Sequence, residues 1–250
     1  MHLFPPHAPY NPPRQYNQSF DDGWRPPRKP EHFFSDGHKP GKQNALRREY
    51  DEYIAYVDAE FGRLYDLLEA GGLLENSCLI FTSDHGEMLE RGISYHNTPV
   101  LYEPIIRAPL MIVKPGQTQR EDVDFPTSAV DLLPTLLELA GAPIPSWAEG
   151  RVLPGFEAGA RTAGQSVFAL EAKQSPKVGP LTKATAALIK DNLKLIYYTG
   201  YPGFEDVYEM YDLEADVEEM QDLYSASDPL ARSMKDELTA KLSQVQVGLR

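Results

Sequence analysis

The sequence predicts an α/β fold, and two observations support this prediction. Between residues 43 and 141, segments with the spacing of amphipathic helices alternate with short, continuous apolar runs of the kind found in buried strands. Beyond residue 145, shorter apolar runs are separated by turn residues, which is typical of an antiparallel sheet. We therefore expect a largely parallel sheet flanked by helices, with a small antiparallel sheet and a helix beside it.

The first predicted element is a long amphipathic helix that begins near Gln43. Its apolar residues recur at steps of three and four and so share one face: Tyr50, Tyr53, Ile54, Val57, Phe61, Leu64 and Leu68. The glycine pair Gly71-Gly72 ends the pattern, because glycine is a frequent helix terminator.

Two strands and a second helix follow. Residues 77–83 and 108–115 are continuous apolar runs, which favours strands buried on both faces of a sheet. Residues 127–141 have helical spacing, with Thr127 or Ser128 as the capping residue at the start. This order of helix, strand, strand and helix favours a largely parallel sheet.

The flanking regions differ in character from this central part. Residues 1–42 contain nine prolines and few periodic apolar positions, which predicts a long irregular loop. Four short strands are predicted after residue 145, at residues 166–172, 185–192, 194–200 and 207–213, and a final helix spans about 227–245. We expect two domains, an α/β part over 1–145 and a small α+β subdomain over 146–250.

Composition excludes several classes of function. The formal net charge of −13 argues against a nucleic-acid partner, because binding a phosphate backbone requires a basic surface. No stretch reaches 18 apolar residues, so no membrane span is predicted. The first residues, MHLFPPHAPYNPP, lack the features of a secretory signal, which leaves the cytoplasm as the default expectation. The sequence has no motif typical of P-loop NTPases, dinucleotide-binding folds or serine hydrolases with a nucleophile elbow.

Polar residues follow the first predicted strand directly. Asp84 and His85 stand at its carboxyl end, where ligands bind in open parallel sheets, and Gly86 permits a sharp turn. A carboxylate and an imidazole on adjacent residues can both reach one cation. By itself, this segment is also compatible with an Asx turn that caps a helix.

Two further histidines are candidates for proton transfer. His96 lies 11 residues after His85, and His7 lies in a loop between prolines. Histidine exchanges a proton readily near neutral pH, although a single loop histidine is more often a hydrogen-bonded structural residue.

Five segments in this order resemble the sulfatase family of the alkaline phosphatase superfamily. They are PPHAPYNPP, the long helix running into FTSDHGE, RGISYHNTPVLYEPIIRAPLMIV, SAVDLLPTLLELAGAPIP and YEMYDLEADVEEMQDL. The resemblance covers nearly the whole chain. It implies an alkaline-phosphatase-like, mostly parallel sheet flanked by helices, part of which this chain would supply, with a small C-terminal antiparallel sheet plus helix.

The resemblance also implies roles for particular residues. Asp84 and His85 match a pair of metal ligands, and His7 and His96 match histidines that contact the sulfate or its leaving-group oxygen. Calcium is the implied ion, with manganese or zinc as alternatives because a histidine ligand is softer than calcium normally takes. Arg91 stands where many members have another histidine, so that contact is not expected here.

The N-terminal motifs of the family do not occur in this sequence in their usual order. Members begin with a strand bearing two aspartates and continue with Cys/Ser-x-Pro-x-Arg, which holds the nucleophile. Here Asp21-Asp22 lies after the His7 motif, and Cys/Ser-x-Pro-x-Arg does not occur. We therefore expect the C-terminal portion of a metal-dependent sulfuric ester hydrolase that acts on a small-molecule or saccharide sulfate ester.

Two alternatives remain at this point. One is a phosphodiester or phosphonate monoester hydrolase of the same superfamily, and the other is a catalytically inactive, truncated chain. Self-association through an exposed sheet edge is also expected, because the first parallel strands would be missing.

Overall fold

The computed structural model describes residues 3–21, 23–156, 162–176 and 179–248. The chain divides into two compact units: Met1–Thr98 with Glu103–Arg120, and Pro99–Tyr102 with Glu121–Arg250. Helices and sheets in these units confirm the α/β class. The sequence-based domain boundary at residue 145 stays a prediction.

The first unit is organised along helix α1 (Pro40–Ala70). Pro40 suits the first turn because an N–H at this position would have no partner within the helix. In the described residues before α1, which are 3–21 and 23–39, the only helical element is a short 3₁₀ turn at Arg14–Tyr16. On the apolar face predicted for α1, Phe61 packs against Phe81 with ring centroids 4.7 Å apart, whereas Ile54 is 41% exposed. The helix ends before Gly71 and Gly72, as expected.

Strand β1 (Leu79–Thr82) pairs with β4 (Leu110–Val113) in antiparallel register, with Leu79 opposite Val113. The expectation that these strands are parallel is therefore wrong for this pair. A parallel pair needs a crossover connection, usually a helix of several turns. The chain between them contains instead the hairpin β2 (Leu89–Glu90) and β3 (Ile93–Ser94), and the single helical turn α2 (Glu103–Ile106).

The β2–β3 hairpin has a two-residue turn of defined geometry. Arg91 and Gly92 both have positive φ, +55° and +78°. Positive φ at both turn residues matches the right-handed twist of the strands in short hairpins. In register, Leu89 lies opposite Ser94 and Glu90 opposite Ile93, and the N–H of Tyr95 donates to the carbonyl of Met88 at 2.8 Å.

In the second unit, Ser128 caps a 3₁₀ turn (Ala129–Asp131) that continues into α3 (Leu132–Leu139). The fully buried Asp131 carboxylate accepts the N–H groups of Ser128 at 2.9 Å and Arg151 at 2.8 Å. The bond from Ser128 is one half of a capping box between Ser128 and Asp131, so the predicted helix and its Ser128 cap are confirmed, and the bond from Arg151 ties a later loop to this helix start.

The rest of the second unit is a four-stranded antiparallel sheet covered by a helix. Its strands, in spatial order, are β5 (Val167–Glu171), β6 (Ala184–Lys190), β7 (Leu193–Thr199) and β8 (Val207–Asp212), and the helix is α4 (Pro229–Gly248). Leu188 and Leu195 of the sheet and Met234 and Leu238 of α4 share one buried apolar cluster. The predicted C-terminal sheet and helix are confirmed. Across the described ranges, no helix combines the length and apolarity needed to cross a membrane.

Candidate active site

Asp84 and His85 follow β1 and precede Gly86, whose backbone packs too closely against another segment to leave room for a side chain. The Gly86 N–H donates to the Ile105 carbonyl at 2.7 Å, and a Cβ at this position would lie 2.0 Å from the Pro104 carbonyl oxygen. The Ser83 hydroxyl donates to the His85 carbonyl at 2.6 Å. The close approach of two backbone segments therefore fixes the direction in which Asp84 and His85 leave the strand.

The Asp84 and His85 side chains can face a common ligand. The His85 Nδ1 lies 2.8 Å from the Gly86 carbonyl oxygen, and a carbonyl only accepts, so Nδ1 carries the proton of the neutral ring. The other nitrogen, Nε2, then has a lone pair and lies 3.8 Å from Asp84 Oδ2. A backbone carbonyl that fixes the tautomer in this way is the usual arrangement behind a metal-binding imidazole.

Three of the predicted histidines come together. The His96 ring lies 4.3 Å from the His85 ring and 5.3 Å from the His7 ring, measured between centroids. The His7 Nδ1 lies 2.6 Å from the Ala8 carbonyl oxygen, so this nitrogen is the donor and Nε2 is left for other partners. Residues far apart in the sequence thus form one cluster, with His96 in the middle.

Glu87 is a member of this cluster that sequence reasoning did not assign. Its carboxylate is almost fully buried, and Oε1 lies 3.3 Å from His96 Nδ1. The sequence signal that could have identified it is the hairpin: with Leu89 opposite Ser94, continuing the register places Glu87 opposite His96. A carboxylate bonded to one imidazole nitrogen fixes the ring orientation, so that the other nitrogen, here Nε2, points away from the carboxylate.

Tyr10 holds the second oxygen of this carboxylate. Its hydroxyl donates to Glu87 Oε2 at 2.8 Å, and its ring packs against Tyr50 with centroids 5.2 Å apart. Burial, together with the Glu87 carboxylate, raises the pKa of Tyr10 well above its usual range, so its hydroxyl stays a donor at physiological pH. The same causes, burial first, raise the pKa of Tyr50 to about 12.

The donor set suits part of a cation site. A carboxylate and a neutral imidazole 3.8 Å apart can both bind one divalent ion, since typical metal–oxygen and metal–nitrogen distances are about 2.0–2.5 Å. Among the described residues, no group of three or more His, Cys, Asp or Glu side chains is placed to hold a metal ion. Asp84 and His85 therefore fit as two ligands of a larger set.

The remaining sequence-predicted positions lie elsewhere in the first unit. Asp21 pairs with Arg48 at 2.7 Å, and Asp22 lies outside the described residues. Arg91 is buried in the hairpin turn, where its Nε lies 3.7 Å from Glu90 Oε1. Arg91 therefore has a structural position in the hairpin turn, whereas the family pattern often has a histidine there.

Two protein-family models match this chain. The family model described as Sulfatase matches residues 1–142, and a model described as the C-terminal part of N-sulphoglucosamine sulphohydrolase matches residues 92–248. The chain is 33% identical over 183 residues to a choline-sulfatase from Rhizobium meliloti (strain 1021), covering 71% of this chain and 33% of that protein.

Solved structures give the same result for the fold. One is a protein bound to its substrate D-glucosamine-2-N,6-O-disulfate, with a TM-score of 0.62, 27% identity, and coverage of 84% of this chain and 43% of that one. Another is a phosphonate monoester hydrolase from Silicibacter pomeroyi, with a TM-score of 0.72, 22% identity, and coverage of 98% and 55%.

The fold is alkaline-phosphatase-like. The chain belongs to the sulfatase family, because the family model covers more than half of it. It spans about a third of the length of the choline-sulfatase and about half the length of the two solved structures.

Proposed function

We propose that this chain carries part of the active site of a metal-dependent sulfuric ester hydrolase. The observation that supports this most directly is the meeting of His7, His85 and His96 in one cluster, with neighbouring rings 4.3 and 5.3 Å apart. Membership of the sulfatase family supports the same chemistry. The substrate would be a small-molecule or saccharide sulfate ester, a class to which the ligand of one similar structure belongs.

Asp84 and His85 are the proposed metal ligands. Calcium is the expected ion, and manganese or zinc would suit the His85 nitrogen better. A bound divalent ion would withdraw charge from a sulfate oxygen as a Lewis acid. The Gly86 carbonyl has the supporting role of keeping the proton on Nδ1 of His85, so that Nε2 can bind.

His96 and His7 are the proposed catalytic residues. In the doubly protonated His96 ring, Nδ1–H donates to Glu87 and Nε2–H gives its proton to the departing alkoxide oxygen, which leaves a neutral ring with its proton on Nδ1. His7, with Nδ1–H held by the Ala8 carbonyl, presents Nε2 to the sulfate or the leaving-group oxygen. Glu87 is a positioning residue, since it acts through His96.

A phosphonate monoester is the alternative substrate class. Because the fold is similar to that of the hydrolase from Silicibacter pomeroyi, a phosphonate ester is included among the substrates to be tested. A chain that is inactive by itself is the second alternative, because the nucleophile motif of the family does not occur in this sequence.

The test has a binding arm and a turnover arm. Isothermal titration of the chain with Ca²⁺, Mn²⁺ and Zn²⁺ should show binding that is lost in Asp84→Ala and kept in Asp58→Ala, which changes an exposed aspartate of α1. Equal binding by both variants would contradict the metal assignment. Turnover of p-nitrophenyl sulfate or of a phenyl phosphonate ester then separates the substrate classes, and no turnover of either supports the inactive chain.

Two other expectations stay predictions. Self-association through a sheet edge predicts a dimer or larger species in light scattering coupled to size exclusion, and a monodisperse monomer would contradict it. A cytoplasmic location is likewise untested and can be checked by fractionating cells that express the chain.

A further inference from the structure

A groove with two adjoining cavities lies along the start of α1, apart from the histidine cluster. Each cavity has a volume of about 420 Å³, and the two share Pro26, Asn44 and Arg47. Volumes in this range are those of small-molecule sites. None of the proposed catalytic residues or metal ligands lines either cavity.

The groove is basic in a strongly acidic protein. The residues that line the two cavities include seven Lys and Arg against three Asp and Glu, whereas the whole chain has a net charge of −13. Glu90 is shared by Lys29 at 2.8 Å, Arg47 at 3.4 Å and Arg91 at 3.7 Å. In the second cavity, five Lys and Arg side chains line the wall with two carboxylates, Glu31 and Glu90, so basic groups outnumber acidic ones there.

The first cavity combines three guanidinium groups with an aromatic wall. Arg25, Arg47 and Arg48 line it with one carboxylate, Asp51, and Arg48 also pairs with Asp21 at 2.7 Å. Trp24 is 59% exposed, with Arg47 5.9 Å from the centre of its ring. Such a large exposed indole in a cavity is unusual for a residue that only packs, and tryptophan faces stack well on flat ligand surfaces.

Small residues of α1 keep the cavity open. Gly41 and Ala45 line it one turn apart on the helix surface, and a Cβ at Gly41 would meet nothing within 4 Å. Asn44 and Asp51 add hydrogen-bonding groups on the same side of α1, which suits hydroxyl groups rather than an apolar ligand. The proximity of the α1 N-terminus also favours an anion.

We propose that this groove binds an anionic saccharide, with one sugar ring on Trp24 and its sulfate or carboxylate group between Arg25, Arg47 and Arg48. The neighbouring cavity, with Lys29 and Arg91, takes the next unit of the chain. Bidentate geometry makes arginine the preferred partner of sulfate and carboxylate groups. The site goes beyond the proposed hydrolysis and does not depend on it, because it shares no residue with the catalytic cluster.

Intrinsic fluorescence can report on the groove directly. The chain has two tryptophans, and Trp147, 71% exposed, lies in the second unit. The Trp147→Phe protein therefore has Trp24 as its sole indole, and Trp24→Phe leaves Trp147 as the matched control. Titration with a chondroitin sulfate tetrasaccharide in EDTA should give a saturable change in Trp147→Phe and none in Trp24→Phe.

Charge variants test the arginine contacts in the Trp147→Phe background. Arg47→Gln with Arg48→Gln should weaken binding at least about tenfold, since each removes a charge-assisted hydrogen bond. Arg63→Gln changes an exposed arginine of the same helix, paired with Glu60 at 2.8 Å, and should leave binding unchanged. Asp84→Ala should also leave it unchanged, which separates this site from the proposed metal site.

Several outcomes would overturn the proposal. They are the lack of a saturable Trp24 signal, equal binding of the neutral chitotetraose, tighter binding of adenosine monophosphate than of the sulfated saccharide, and loss of the signal in Asp84→Ala. Circular dichroism of each variant confirms that a lost signal does not come from unfolding.

Discussion

Glu87 and His96 face each other across the β2–β3 hairpin, with 3.3 Å between the carboxylate Oε1 and the ring Nδ1. The pairing follows from the register of the hairpin: Leu89 lies opposite Ser94, and the next bond runs from the Tyr95 N–H to the Met88 carbonyl. One step further along the same register, Glu87 lies opposite His96. A two-residue turn at Arg91 and Gly92 thus determines the tautomer of a proposed catalytic residue.

Replacing Glu87 by glutamine should change which nitrogen of His96 carries the proton. The carboxylate only accepts, so it holds the proton on Nδ1, whereas an amide can also donate to that nitrogen. We expect the fraction of the Nδ1–H tautomer to fall in Glu87→Gln, as measured by ¹⁵N shifts of the assigned His96 ring. Tyr10→Phe keeps the carboxylate and serves as the control. The same tautomer populations in Glu87→Gln and the wild type would show that Glu87 does not position the ring.

Gly86→Ala should destabilise the first unit. Its Cβ would lie 2.0 Å from the Pro104 carbonyl oxygen, so one of the two backbone segments has to move, at a cost of roughly 1–3 kcal/mol. Gly62→Ala is the matched control, because its Cβ meets nothing within 4 Å in the interior of α1 and alanine favours a helix by about 0.5–1 kcal/mol. Urea unfolding of both variants gives the comparison, and a stable Gly86→Ala protein would contradict the close packing of this turn.

Local patterns predicted most elements because the interactions that form them are local. The α1 face, the Ser128 cap and the four C-terminal strands follow from side-chain spacing and turn residues close in sequence. The antiparallel pairing of β1 with β4 could not be predicted in this way, because the relative direction of two strands depends on the path of the 27 residues between them. A continuous apolar run has the same pattern in a parallel and in an antiparallel strand.

The sequence predicted individual residues of the candidate site but not the hydrogen bonds that connect them. Family motifs pointed to His7, Asp84, His85 and His96, and the structure places the three histidines together. Glu87 was missed because the β2–β3 hairpin, whose register places it opposite His96, was not predicted. Tyr10 was missed because it contacts Glu87 across 77 positions of sequence, which no local pattern encodes. The basic groove was missed for the same reason, since its walls come from both a loop and a helix.

Breaking the buried ion pair of the second unit should be costly. Lys194 Nζ lies 2.7 Å from Glu219 Oε1, and both side chains are essentially fully buried. Lys194→Met leaves a carboxylate buried without its cation, so we expect a loss of about 3–5 kcal/mol in the free energy of unfolding. Lys190→Met removes a half-exposed pair with Glu237 at 3.2 Å and should cost less than about 1 kcal/mol. Similar losses for the two variants in chemical denaturation would contradict this difference.

Glu237 should make the second unit less stable in acid. The Ser166 hydroxyl and Lys190 both donate to its carboxylate, and the hydrogen bond from Ser166, followed by that from Lys190, lowers its pKa below the ordinary value despite partial burial. Because the folded-state pKa lies below the unfolded one, the stabilisation is fully present above the unfolded pKa, about 4.3, and is lost as pH falls through the folded value. The difference in unfolding free energy between the wild type and Glu237→Gln should therefore be largest near neutral pH and shrink towards about pH 3. Urea titrations at several pH values measure this difference, with the exposed Glu149→Gln as a control that should show no such trend. A difference that stays constant with pH would mean that the Ser166 and Lys190 contacts do not favour the charged form of Glu237.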